Sequence, residues 1–185
     1  PELIETFIKL VGPKITAPNK DELIDQFRKK WQTIDTDFEY SVVPNGSFVF
    51  PLVPVFQYKG DKLIGQMMET HITNIYNGRT GLATIKYLRE NGMTHFVSDE
   101  EFIFLENLMN DDTEALAAYA KILEESAKDF RNSTDKMLLE AAFRRAPSLK
   151  TANLASEIAL ANGWNSTSNV SVALNGSVPL DKVGG

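Results

Sequence analysis

Apolar residues fall at helical spacing from the first positions of the chain. Leu3, Ile4, Phe7, Ile8 and Val11 share one face, and Gly12 followed by Pro13 ends the run. A second helix is predicted from about Asp21, with Leu23, Ile24, Phe27, Trp31 and Ile34 as its stripe. The period then changes. "FEYSVV" reads as a strand, "PNGS" as a turn in which Asn45-Gly46 supplies positive φ, and "FVFPLVPVFQY" as an edge strand, because Pro51 and Pro54 cannot donate to a ladder. "KLIGQMMETHITNIYN" reads as one long bent strand or two short ones. Residues 38–76 are therefore expected to form a small antiparallel meander.

Helical spacing returns in "GRTGLATIKYLRENG", closed by Asn91-Gly92. "MTHFV" is read as a short strand. "SDEEFIFLENLM" opens with Ser98 and Glu101, a capping box. Asp111 and Glu114 repeat that spacing before "ALAAYAKILEESAKDF". "STDKMLLEAAFRRA" reads as a further helix stopped by Pro147, and "LKTANLASEIALANG" as the next. Two readings stand for "NVSVAL". As a helix, Val170, Ala173 and Leu174 would pack on Leu154 and Ile158, with Ser168, Asn169 and Ser171 or Val172 in solvent. As a strand, residues 168–182 would form a hairpin about Asn175-Gly176. Trp164 is expected to cover the junction between the two helices.

Composition narrows the class. The chain has 185 residues, 43% hydrophobic and 10% aromatic, enough for a buried core. It has no cysteine, which excludes disulfides and thiolate chemistry. A net charge of −6 argues against a general polyanion binder. The charge is uneven. Residues 1–130 hold 13 of the 19 Lys/Arg and 21 of the 25 Asp/Glu, a net of −8, and residues 131–185 hold the rest, a net of +2. An acidic α+β domain over 1–130 and a helical module over 131–185 are expected, with a soft junction near "FRNS". No long apolar run and no basic leader pattern occur, so the expected setting is cytoplasmic, bacterial or viral, with no membrane partner.

Candidate chemistry concentrates near the end. Leu154-Ala155, Gly163 and the string Val170-Ser171-Val172-Ala173-Leu174-Asn175-Gly176 resemble the landmarks of helix-turn-helix domains of the lambda-repressor and LacI types. That resemblance, over residues 154–176, implies a duplex-DNA partner read by Asn165, Thr167, Ser168, Asn169 and Ser171. Residues 163–177 hold no Lys or Arg, so Arg144, Arg145 and Lys150 would have to neutralise the phosphates. Gly78-Arg79-Thr80-Gly81-Leu82-Ala83 before a helix resembles the acyl-CoA turn of GNAT acetyltransferases. His71 and His95 lack ligand spacing and are read as structural, and no cofactor or metal site is expected.

The fold class expected is α+β, with N-terminal helices and a small antiparallel sheet packed on a mostly helical C-terminal half. The leading function is a DNA-associated binding protein. The alternatives are a structural or assembly protein, viral or homo-oligomeric, making contacts through the Pro51/Pro54 edge and the helix at 102–108, and an enzyme such as a GNAT-like acyltransferase or a nuclease subunit.

Overall fold

The structure is a computed structural model that describes residues 2–34 and 38–184. The chain is α+β. It divides into two compact units, Pro1–Glu69 and Thr70–Gly185.

The first unit holds helices α1 (Glu2–Val11) and α2 (Lys20–Gln32) and strands β1 (Glu39–Val42) and β2 (Phe56–Lys59). The opening stripes meet in part as their spacing predicts, although Val11 and Leu23 are exposed and Ile34 lies past the end of α2. Phe7 stacks on Phe27 with ring centroids 5.4 Å apart, and Phe27 meets Trp31. Arg28 ties the two helices together through a 2.8 Å bond to Glu5. Leu3, also placed in the first stripe, has a side chain outside the described set. β1 and β2 pair antiparallel, Glu39 opposite Lys59 and Val42 opposite Phe56. The Asn45-Gly46 turn does not join the strands directly. It lies within a long connection, residues 43–55, closed at its root by Val43 N–H donating to Val55 C=O.

The expected meander stops there. Residues 62–76 are not strands but the start of helix α3 (Lys62–Glu90), 29 residues long, which begins in the first unit and continues through the second. Its Ile and Thr residues carry β propensity, but a weak local preference yields to packing of the whole helix. Asp61 opens α3 by accepting from Leu63 N–H at 2.8 Å.

The second unit contains the rest of α3, then α4 (Asp99–Met109), α5 (Thr113–Ser133), β3 (Leu139–Glu140), α6 (Leu149–Ala161), β4 (Ser166–Thr167) and α7 (Ser171–Leu174). The Ser98/Glu101 capping box is present at α4. At α5 the cap is Asp112 rather than Asp111. Asp112 accepts from Ala115 N–H, while Asp111 takes a left-handed φ of 58° in the turn between the helices. "MTHFV" forms a 3-10 turn over Thr94–Phe96, not a strand. "STDKMLLEAAFRRA" does not form a helix either. It gives β3 and a 3-10 turn over Phe143–Arg145. The charge step near residue 130 falls inside α5, which packs along α6 within one unit.

The core of the second unit combines apolar and polar residues. Leu108, Phe143, Ala152 and Val172 are buried beside Asn74, Glu140, Ser156, Thr167 and Asn169. Asn74 on α3 donates to the carbonyls of Phe143 and Ala146 at 2.8 and 2.9 Å, which holds the end of the 3-10 turn to the helix. Among the described side chains of the first unit, by contrast, no large apolar residue is fully buried.

Candidate functional site

Residues 154–176 fold as the main length of α6, a turn, β4 and α7. Gly163 closes α6 at φ 84°, with Trp164 N–H reaching back to Ala159 C=O, the arrangement expected of a glycine just past a helix end. Neither expected form of "NVSVAL" occurs in full. Residues 168–174 are not extended and form no strand ladder with 177–183, although Val178 N–H donates to Val172 C=O at 3.0 Å, and α7 is one turn of four residues. Its buried face is Val172 and Ala173, whereas Val170 and Leu174 are exposed. Trp164 does not cover the α6–α7 junction. Its indole N–H donates to Ala127 C=O on α5, and its ring meets Phe130 edge-on.

The register is set by a polar cluster. β3 pairs parallel with β4, placing Glu140 opposite Thr167. Glu140 Oε2 accepts from Ser156 Oγ and from Thr167 Oγ1, both at 2.6 Å, and its Oε1 accepts from Ala142 N–H at 2.5 Å. Asn169 Nδ2 donates to Asn153 Oδ1 at 3.0 Å and to Ser156 Oγ at 3.1 Å. Asn169 Oδ1 in turn accepts from the backbone N–H and the hydroxyl of Ser171. Each buried side-chain nitrogen and oxygen of the described residues has a partner.

This cluster fixes what the proposed reading residues can do. Asn169 is 2% exposed and faces inward, contrary to its expected place in solvent. Thr167 is buried and its hydroxyl is committed to Glu140. Ser171 is half-buried and hydrogen-bonded to Asn169. Asn165 is exposed, but its Oδ1 accepts from Leu138 N–H. Ser168 is exposed. Arg144 and Arg145 lie exposed on the 3-10 turn before Pro147, and Lys150 lies exposed in the first turn of α6. Glu140 and Ser156 escaped sequence reasoning because "MLLEAAF" has helical spacing and nothing local marks Glu140 for burial.

Gly78 to Ala83 lie in the middle of α3, so no free helix N-terminus is available there for a phosphate. Gly78 has a packing role. A Cβ built on it would stand 2.4 Å from the Pro147 carbonyl oxygen. His71 packs edge-on against Phe143, 5.2 Å between ring centroids. Among the described residues, no group of three or more His, Asp or Glu is placed to hold a metal ion, and no helix is long and apolar enough to cross a membrane.

The connection between β1 and β2 is of a different kind. From Tyr40 to Tyr58 the chain has no charged residue. The Lys59 ammonium and Glu39 carboxylate pair at 3.0 Å across the strands that carry it. Phe48 and Phe50 are each 71% exposed, and Leu52 is 103% exposed. Sequence pattern reads these residues as a strand. The two prolines, which cannot donate to a ladder, leave them as an open loop instead. The overlooked signal was the absence of charge, since a solvated loop of this length ordinarily carries some. Compared with protein-family models, with curated proteins and with solved structures, the chain matches none.

Proposed function

We propose that this chain is an assembly protein that associates with copies of itself, and that the loop 43–55 is its contact element. The observation that carries this reading is the exposed apolar series Phe48, Phe50 and Leu52 in a stretch without charge. Contiguous exposed apolar surface of this kind marks sites of association. Burying each such side chain against a partner contributes about 1.5–3 kcal/mol. The shallow packing of the first unit adds support, because association would supply burial that the unit lacks. Light scattering of the full chain across a concentration series tests the reading. The wild type is expected to grow in mass with concentration, and Phe50→Asp is expected to suppress that growth. A chain that remains monomeric throughout would sink the proposal.

A second reading, association with duplex DNA, draws on the exposed cations Arg144, Arg145 and Lys150 around the Pro147 turn. With Asn169 and Thr167 occupied in the interior, such contacts would be to phosphates and independent of base sequence. Affinity would fall steeply with salt and drop further when Arg144 and Arg145 become Glu. Absence of binding at low salt would remove this reading.

A further inference from the structure

We propose that the groove between α5 and α6 receives the loop 43–55 of a second copy, with Leu52 entering it, so that copies associate head to tail. This rests on the assembly reading and names the other half of its contact.

The loop is built to hold one side chain outward. Val53 N–H donates to Phe50 C=O at 3.2 Å, closing a turn with Pro51 and Leu52 at its centre. Proline fixes the first central position, and the second takes φ 69°, a value that turns ordinarily assign to glycine. Leucine occupies it and makes the tip fully exposed. A β-carbon in the left-handed region is unfavourable and gains no burial within the chain, so the conformation makes sense as a presented knob.

The groove matches that knob. It has a volume of about 420 Å³ and is lined by Leu116, Ala117 and Ala120 of α5, by Leu154 of α6, and by polar groups at its rim. Ala117 and Ala120, three apart on one helix face, keep the floor low. The volume falls in the range of roughly 300–1,000 Å³ typical of binding pockets. Lys150 and Glu157, also at the groove, have opposite signs and leave it without net charge. An uncharged loop therefore enters without an unpaired charge on either side, and the two long side chains can lay their stems along it while their heads stay in water. A second groove, of about 310 Å³, is lined by Ile4, Trp31 and the paired Glu5 and Arg28. Covering that ion pair would strip it of water, which makes it the poorer receptor.

Knob and groove are different surfaces of one chain, so the contact is heterologous. It repeats from copy to copy until a ring closes or a filament extends. This gives a test that separates it from any two-fold contact. Leu52→Asp removes the knob, and Ala117→Trp, at an exposed position, fills the groove. Each variant alone is expected to weaken association roughly ten-fold or more. Mixed, they should form a one-to-one dimer and nothing larger, because one intact knob meets one intact groove. The chain has no cysteine of its own. Oxidation of Leu52→Cys mixed with Ala117→Cys should therefore give a covalent dimer, and the double variant a ladder. If Leu52→Asp dissociates the assembly while Ala117→Trp leaves it intact, the loop contact stands and the groove assignment falls. If neither variant has an effect, both fall. A double-cysteine chain that cross-links only within itself overturns the proposal. So does a monomeric wild type whose loop instead binds phosphatidylcholine vesicles in a Leu52-dependent way.

Discussion

Ser156 Oγ donates a 2.6 Å hydrogen bond to Glu140 Oε2, and both residues are buried. The bond joins the centre of α6 to β3 and makes Glu140 the acceptor that organises the second unit. A buried carboxylate is costly unless donors surround it, and here two hydroxyls and a backbone N–H do so. Glu140→Gln would turn an amide N–H₂ toward at least one of these donors. The expected loss is about 1–3 kcal/mol of unfolding free energy. Ser156→Ala should cost a similar amount, since it removes a donor to Glu140 and an acceptor for Asn169. Urea titration measures both. Unchanged midpoints would show that the cluster contributes nothing net.

Gly78 and Gly81 stand three apart in α3 and should respond oppositely to the same change. A Cβ at Gly78 meets the Pro147 carbonyl and the Met109 side chain, whereas one at Gly81 meets nothing within 4 Å. Gly81→Ala should stabilise the helix by up to about 1 kcal/mol. Gly78→Ala should destabilise the unit, because backbone must move to admit the methyl. Thermal melts of the two variants check the pair, and a stabilising Gly78→Ala would contradict the close packing.

Acid should loosen two helix starts and one bridge between helices at once. The Arg28 guanidinium bonded to Glu5, the Lys30 ammonium on Asp61, and the Ser98 backbone N–H on Glu101 hold these carboxyls below their ordinary range. A folded pKa below the unfolded one means that stability is present above the unfolded value and lost as pH falls through the folded value. The melting temperature should therefore decline once pH drops below about 4–5. Glu101→Gln keeps a capping side chain at that position and should flatten its share of the decline. Added salt should shrink the Glu5 share most, since its ion pair with Arg28 lies at the surface. A melting temperature constant from neutral pH to pH 3 would contradict these assignments.

Leu52 and the fold are separable. Leu52→Gly supplies the positive φ without a Cβ, against a greater entropy of the unfolded chain. The expected change in monomer stability lies between zero and about 1 kcal/mol in favour of the variant. Self-association should weaken in the same variant. Urea melts at low concentration, set beside light scattering at high concentration, separate the two effects. A variant that both unfolds more easily and associates normally would reverse the argument.

Local chemistry was legible wherever an element carries its own boundary signals. α1 and α2 follow from stripes ended by Gly12 or opened by acidic residues, and α4 follows from Ser98 and Glu101, because caps and stripes involve residues within a few positions of one another. The exposed cations around Pro147 were also legible, as charge rarely goes inside.

What sequence pattern determined is thus the α+β class, most of the helices, the strand near 39–42, only the last residues of the strand read over 48–58, and the turn at Gly163. Tertiary structure decided the remainder. α3 runs through Gly78 because the Pro147 carbonyl, 69 residues further on, needs the space that a side chain would fill. "MLLEAAF" leaves its helical spacing because Glu140 finds Thr167 on a parallel strand and Ser156 on α6. Asn169 turns inward because its amide N–H₂ meets Ser156 Oγ and Asn153 Oδ1 there. Each of these rests on an acceptor or a steric limit contributed from far along the chain, and periodicity, a short-range property, carries no trace of it.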